Sequence, residues 1–369
     1  AGERVQLTDV KGRLHTIMLT TDGYFQSQRG SFRHTELIGR PEGTVLQTES
    51  GHDLLALRPL LSDYVLSMPR GAAVVYPKDA AQIVQFADIH PGARVVEAGA
   101  GSGALSMSLL TAVGTDGHLL SVERREEFAQ IADANVTSWF GRRPANWELR
   151  VGSLDEQLDA LEAHTVDRVV LDMLAPWENV DAVARALEPG GLVVAYVATT
   201  TQLSRYVETL RAAECFTEPA AFETLVRGWH VEGLAVRPDH RMVAHTGFLV
   251  TARRLAPGTP PPSRTRRPAK GAYDGTDVSL LAARVDVPAD EEWTAEQVGQ
   301  RTSPDKKLRR VVRDVHRRAR IEATGTAGQV GGHRDGTRGA RGATGPEAAP
   351  GTDTDAATDP ATEPTEEDS

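Results

Sequence analysis

The stretch Val95–Ser106, VVEAGAGSGALS, constrains this chain more than any other. Two valines and an acid run into glycines at 99, 101 and 103, and then into Ala104 and Leu105. Glycine carries no Cβ, so the chain can bend there and a ligand can come against the backbone. A helix opening straight after such a turn aims free N–H groups and the positive end of its dipole at whatever sits there. The stretch predicts a strand turning into a helix around a nucleotide-like ligand. Gly99, Ala100, Gly101, Ser102, Gly103, Ala104 and Leu105 would form the cradle. Gly99, Gly101 and Ala104 also satisfy the dinucleotide pattern G-x-G-x-x-G/A, so the turn alone admits NAD and S-adenosylmethionine alike.

Two acids bear on that choice. Glu123 ends the next strand-like run, about twenty residues further on, where a carboxylate takes the ribose hydroxyls of either cofactor. Glu97 directly precedes the glycines. A carboxylate there repels a pyrophosphate, whereas S-adenosylmethionine brings an ammonium and a sulfonium. Opposite charge favours the methyl donor.

From 69 to 256 the pattern predicts a parallel, doubly wound α/β sheet. ARVVEAG, GHLLSVER, DRVVLDML and GGLVVAYVAT each lead into a helix-like segment. In the last of these Leu203, Tyr206, Val207 and Leu210 share one face at i, i+3, i+4 and i+7. HVEGLAVRP then turns at Pro238–Asp239 into RMVAHTGFLVTARRL with no helix between, which predicts an antiparallel hairpin closing the sheet edge. Rossmann-like class I methyltransferase sheets end in this way. Residues 1–68 read as a small all-β domain, with RVQLTD, RLHTIMLT, SFRHTELIG and HDLLALRPL as strands between turn residues. Residues 257–300 have the Pro/Gly-rich composition of a linker, and 323–369 that of a disordered acidic tail. Between them, 301–322 reads as a basic helix with Leu308, Val311, Val312 and Val315 at helical spacing.

The formal charge of -10 argues against a polyanionic partner only in bulk. KKLRRVVRDVHRRAR, from Lys306 to Arg320, is strongly basic, so the charge is unevenly placed. The single cysteine, Cys215, excludes an internal disulfide, and no Cys/His cluster has the spacing of a zinc site. No apolar run approaches the roughly twenty residues that cross a bilayer, and no charged-then-apolar leader opens the sequence. The expectation is a soluble, cytoplasmic chain without a metal.

LDMLAPW, Leu171 to Trp177, adds the chemistry. Asp172 falls at the carboxyl end of a predicted strand, the edge where open α/β sheets place their ligands. A strand-end acid followed by Pro and an aromatic is similar, with two extra residues, to the Asp/Asn-Pro-Pro-aromatic loop of enzymes that methylate amino nitrogens of bases.

HTELIGRPEG, LLSDYVLSMPRGAAVVYPKDAAQIV, EAGAGSGALS, LDMLAPW, YVATTTQLSRYVETL and RGWHVEGLAVRPDHRMVAHTGFLV together resemble the bacterial and archaeal tRNA (adenine-N1)-methyltransferases. Those enzymes form 1-methyladenosine at position 58 of the T-loop, and the likeness, close to the actinobacterial members, spans residues 2 to about 256. It implies a donor site at Glu97, Gly99 to Leu105, Glu123 and Arg124, with Asp172 shared between donor and target base. It places Tyr76 beside that base, and Tyr196 and His245 near the pocket mouth. It further implies a homotetramer with the β module beside the catalytic domain. One departure stands out. Ser153, followed by Leu154, occupies the place where the family usually has an acid on the donor's adenine, and Asp155 can substitute.

On this resemblance the acceptor needs no base, because adenine N1 carries its own lone pair. Asp172 would accept from the N6 amine and stabilise the charge that develops on the ring. N1 lies on the pairing edge, so the base must leave its stack, and Tyr76 and Trp177 are the aromatic residues that could receive it. Arg29, Arg33, His34, Arg237, Arg241 and the Lys306–Arg320 segment could meet tRNA phosphates. The alternative is a methyltransferase of the same fold acting on a protein or a small molecule.

Overall fold

The computed structural model describes residues 1–262 and 309–317. The remainder of the expected linker, the flanks of the basic stretch and the acidic tail lie outside the described residues.

The chain begins with β1 (Arg4–Asp9), β2 (Leu14–Met18), β3 (Tyr24–Ser27), β4 (Gly30–Arg33), β5 (Thr44–Gln47) and β6 (Asp53–Leu57). Four of them pair in the order β2-β1-β6-β5, while β3 and β4 form a separate hairpin. Leu7, Phe25, Phe32, Leu46 and Leu54 make a core belonging to this module alone. SFRHTELIG is a strand only as far as Arg33. The Glu36 carboxylate accepts the Arg33 N–H at 2.9 Å and caps a short 3-10 turn over His34–Glu36.

Helices α1 (Leu61–Ser67) and α2 (Pro77–Phe86) lead into the second layer. There follow β7 (Arg94–Ala98), α3 (Ala104–Val113), β8 (His118–Glu123), α4 (Glu126–Phe140), β9 (Trp147–Val151), α5 (Leu154–Asp159), β10 (Val166–Leu171), α6 (Val180–Ala186) and β11 (Leu187–Val197). The series ends with α7 (Thr200–Ala212), β12 (Ala220–Phe222), β13 (Val226–Glu232), β14 (Ala235–Val243), β15 (Phe248–Arg253) and α8 (residues 309–317). The seven-stranded sheet runs β12-β15-β11-β10-β7-β8-β9. Its five central and edge strands β11, β10, β7, β8 and β9 are parallel, and β15 and β12 close it antiparallel. Strand side chains alternate between faces, so Val95, Val170 and Val194 enter one core while Val96, Val169 and Val193 enter the other. Burial on both faces explains why these strands read as continuous apolar runs.

The sheet edge departs from expectation in one respect. The β13–β14 hairpin is a separate two-stranded sheet inserted between β12 and β15, and its turn is at Gly233 (φ +54) and Leu234. Pro238 does not turn the chain. It pairs with Trp229 inside β14, next to a register shift, where a residue without an N–H is tolerated. No helix among the described residues is long and apolar enough to cross a membrane.

Candidate active site

The chain order reverses at β7, with β8 and β9 on one side and β10 and β11 on the other. Ligands of open α/β sheets bind in the crevice beyond the strand ends at such a point. Two turns meet there. Asp172, the first residue past β10, donates its N–H to the Ala98 carbonyl at 2.8 Å. Gly99 has φ +86, and a Cβ on it would stand 1.9 Å from the Asp172 carbonyl oxygen, so only glycine lets the two strand ends close. Gly103 (φ +79) caps α3, and a Cβ there would press on Val136 and Ala132 of α4 at 3.0 and 3.1 Å. At Gly101 a Cβ would meet nothing nearer than the Gly99 carbonyl oxygen at 3.7 Å, and its N–H donates to Glu123 Oε2 at 2.9 Å. The three glycines thus join strands, seat a helix and expose a backbone. Ala100, Ser102, Ala104 and Leu105 are buried beneath the turn, so any ligand meets mainly their backbone.

Three acids gather around this turn. Glu97 is fully buried; its Oε2 accepts from Ser106 Oγ and Ser121 Oγ, each at 2.6 Å, while Oε1 has no partner. Desolvation pushes its carboxyl up to about 7, with the Glu123 charge adding to the effect against the two serine hydrogen bonds. Asp172 is also pushed up to about 7, by burial first and then by Glu97 and Glu123. Carboxylates packed this way hold their charge best with a cation among them. The orphaned Glu97 oxygen accordingly suits the ammonium and sulfonium of S-adenosylmethionine, and a pyrophosphate would only add like charge. Glu123 is partly engaged already: beyond the Gly101 bond, its Oε1 accepts the Arg125 N–H at 3.0 Å. Each oxygen retains a lone pair for a ribose hydroxyl. Among the described residues no group of three or more His, Cys, Asp or Glu is placed to hold a metal ion.

At the end of β9, Ser153 stands at the N-cap of α5. It hydrogen-bonds Asp155 and holds that carboxyl below its ordinary range, with the Arg124 charge assisting. Leu154 is buried beside it. Asp155 itself is exposed.

Across the crevice, Tyr196 at the end of β11 hydrogen-bonds Thr246. Burial pushes its hydroxyl well up, and Asp79, Asp172 and Tyr76 act on it electrostatically. Tyr76 and Asp172 thus both lie within electrostatic reach of Tyr196. Gly247 makes room for the ring, since a Cβ there would lie 2.4 Å from Tyr196 Cζ. His245 has Nδ1 2.8 Å from Glu223 Oε2 and Nε2 3.2 Å from the Ala198 carbonyl. With an acceptor at each nitrogen the imidazolium is favoured, and the Glu223 bond raises its pKa. A ring so occupied is poorly suited to act as a base. Sequence reasoning missed the group behind these residues. Lys78 Nζ donates to Asp79 Oδ1 at 2.7 Å and to Thr246 Oγ1 at 2.6 Å, and the Thr246 hydroxyl donates to Asp79 Oδ2 at 2.6 Å. This buried network ties the start of α2 to the loop before β15. Its only sequence trace was the KD that follows Tyr76 in YPKD.

Other expectations are not met. Trp177 is 6 % exposed in a core cluster and carries the Arg205 guanidinium 4.4 Å from its ring centre, so it offers no open face to a base. His34 is buried, accepts the Thr20 N–H at 3.2 Å, and is pushed towards neutrality by desolvation. Arg29 is tied to Asp9 at 3.1 Å. Arg33, Arg237 and Arg241 are exposed.

Residues 1–46 match the family described as TrmI-like N-terminal, and residues 54–236 that described as the tRNA methyltransferase complex GCD14 subunit. The chain is 37% identical over 250 residues to the tRNA (adenine(58)-N(1))-methyltransferase TrmI of Thermus thermophilus, spanning 67% of this chain and 95% of that one. Among solved structures it is similar to the tRNA (m1A58) methyltransferase TrmI of Aquifex aeolicus, with a TM-score of 0.61 at 26% identity over 69% of this chain and 98% of that one. A SAM-dependent O-methyltransferase of Thermotoga maritima gives a TM-score of 0.65 at 29% identity, over 73% and 95%.

Proposed function

The chain belongs to the family of TrmI-type tRNA (adenine-58-N1)-methyltransferases, and on that premise we propose that it methylates N1 of adenine 58 in the tRNA T-loop to give 1-methyladenosine. The observation that carries the reading is Asp172, an acid at the switch point whose backbone closes against the glycine turn and whose charge reaches Tyr196.

S-adenosylmethionine, when bound, supplies an electrophilic methyl on a sulfonium. Glu97 would hold the ammonium, Glu123 the ribose, and Ser153 with Asp155 and Arg124 the adenine end. With a cation held in the cradle, Asp172 would give up its proton below about 7 and face the acceptor as a carboxylate. N1 of the target adenine is a neutral nucleophile, and the ring becomes cationic as the methyl arrives. A carboxylate accepting from the N6 amine binds that cation more strongly than the neutral base, which is what lowers the barrier. The same acceptor selects adenine by its exocyclic N–H. Tyr76 and Tyr196 would hold the extruded base. Arg33, Arg237 and Arg241, all exposed, would meet the RNA backbone.

We further read the enzyme as a cytoplasmic homotetramer. Support for association comes from the β13–β14 hairpin, where Trp229, Val231, Leu234 and Val236 all stand more than half exposed. Contiguous apolar surface of this kind marks an interaction site.

The test is incubation with methyl-labelled donor and tRNA, followed by digestion to nucleosides. Label in 1-methyladenosine, lost when adenine 58 is replaced by guanine, is the expected outcome. Label in another nucleoside, in protein or nowhere would refute the proposal.

A further inference from the structure

Outside the pocket, the basic segment has found a partner for its apolar side. Val315 of α8 is 3 % exposed and packs with Phe128, Ile131 and Ala134 of α4, with Val311, Val312 and Ala72 partly buried against the same cluster. That seat lies beside the donor cradle. Phe128 carries the Arg125 guanidinium 3.7 Å from its ring centre, and the Arg125 N–H bonds Glu123. Ala72 follows Gly71, whose N–H donates to Ser102 Oγ at 3.3 Å.

With the valines turned inward, Arg309, Arg313 and Arg317 fall at i, i+4 and i+8 along an exposed row. They border a groove of about 740 Å³ shared with Glu127 and Gln130 of α4. Arg310 is exposed as well, with Asp314 3.9 Å away. The stretch Lys306–Arg320 holds eight Lys or Arg against one Asp, in a chain of net charge -10. A basic amphipathic helix suits either an anionic membrane or a polyanion in solution. Membrane binding needs the apolar face, and here α4 covers it. What remains is a row of planar guanidinium forks, the group best matched to phosphate oxygens.

We propose that α8, docked on α4, is a tRNA-backbone contact: the Arg309–Arg313–Arg317 row binds RNA phosphates beside the donor side of the active site. The proposal rests on the tRNA reading above. In it the basic helix α8 serves affinity and positioning and takes no part in methyl transfer.

The experiment compares the full chain with the R309Q/R313Q/R317Q variant for tRNA binding across a salt series, and for donor binding by calorimetry. Neutralising the row is expected to weaken tRNA binding about tenfold at low salt. It should flatten the plot of log affinity against log salt by about two, at roughly 0.7–0.9 for each phosphate that is no longer neutralised. Donor affinity should be unchanged. Val315→Asp, which unseats the helix, is expected to weaken tRNA binding to the same degree. Wild-type tRNA affinity and salt slope in the triple variant would overturn the proposal, as would loss of tRNA binding only alongside loss of donor binding. Methylation of tRNA by the unaltered enzyme tests the parent reading separately, so an active enzyme whose triple variant binds tRNA normally removes this inference alone.

Discussion

Burial holds protons on both Asp172 and Glu97, the Glu97 charge adding to the effect at Asp172 and the Glu123 charge at both, so both sit near 7, against ordinary values of 3.8 and 4.5. Between about 4 and 7 the folded protein therefore keeps protons that the unfolded chain releases. Stability of the free enzyme should fall as pH rises through that window, because the native state binds more protons than the unfolded one. The donor works the other way. Its positive charge favours both carboxylates, so binding below pH 7 must expel protons, and donor affinity should climb with pH to about 7 and then level off. Calorimetry in two buffers of different ionisation enthalpy reads the proton release directly. Affinity that stays constant across the window would contradict this electrostatic account. At this scale the sequence was informative where partners were neighbours. Glu97, the glycines and Asp172 all lie at strand ends that apolar runs made visible. Asp79 and Thr246 lie 167 residues apart, so only the folded chain brings them together. Trp177 misled because its place beside Pro176 said nothing about which way the ring would point.

The strand–turn–helix unit depends on conformations that only glycine adopts comfortably, and two positions separate the causes. Gly99→Ala meets both a left-handed φ and a backbone oxygen 1.9 Å away. Overpacking and backbone strain together should cost about 4 kcal/mol. Gly141→Ala meets a left-handed φ (+70) with nothing within 4 Å, and should cost about 1 kcal/mol. Denaturant titration of the two variants checks the difference, and equal losses would contradict the role given to the close approach of Asp172. Elements with long apolar runs were legible from sequence, as β7, β8, β10 and β11 show. β3, β5, β9 and β12 were not, being short or mixed in polarity. Pro238–Asp239 has the composition of a turn, yet the chain turns at Gly233, five residues earlier, because a proline is tolerated at a bulged strand position.

For the molecule as a whole, two surfaces remain that a single protomer does not use, the apolar β13–β14 hairpin and the arginine row of α8. If the hairpin joins copies of the chain, replacing Trp229 and Val231 with glutamate should dissociate the assembly, since buried aromatic anchors carry much of an interface's energy. Light scattering after gel filtration reads the outcome. A variant that keeps the unaltered mass would place the interface elsewhere. The parallel, doubly wound character of the sheet was foreseeable from βα alternation, whereas the hairpin's separation from the sheet was not, because strand composition does not say which strand a partner will be.

The most direct measurement is turnover of Asp172→Ala on tRNA with saturating donor, compared with the unaltered enzyme. If this carboxylate faces the adenine as it becomes cationic, its removal should cost roughly 3 kcal/mol of transition-state stabilisation and slow turnover by roughly a hundredfold or more. Turnover within a fewfold of the unaltered enzyme would contradict the account.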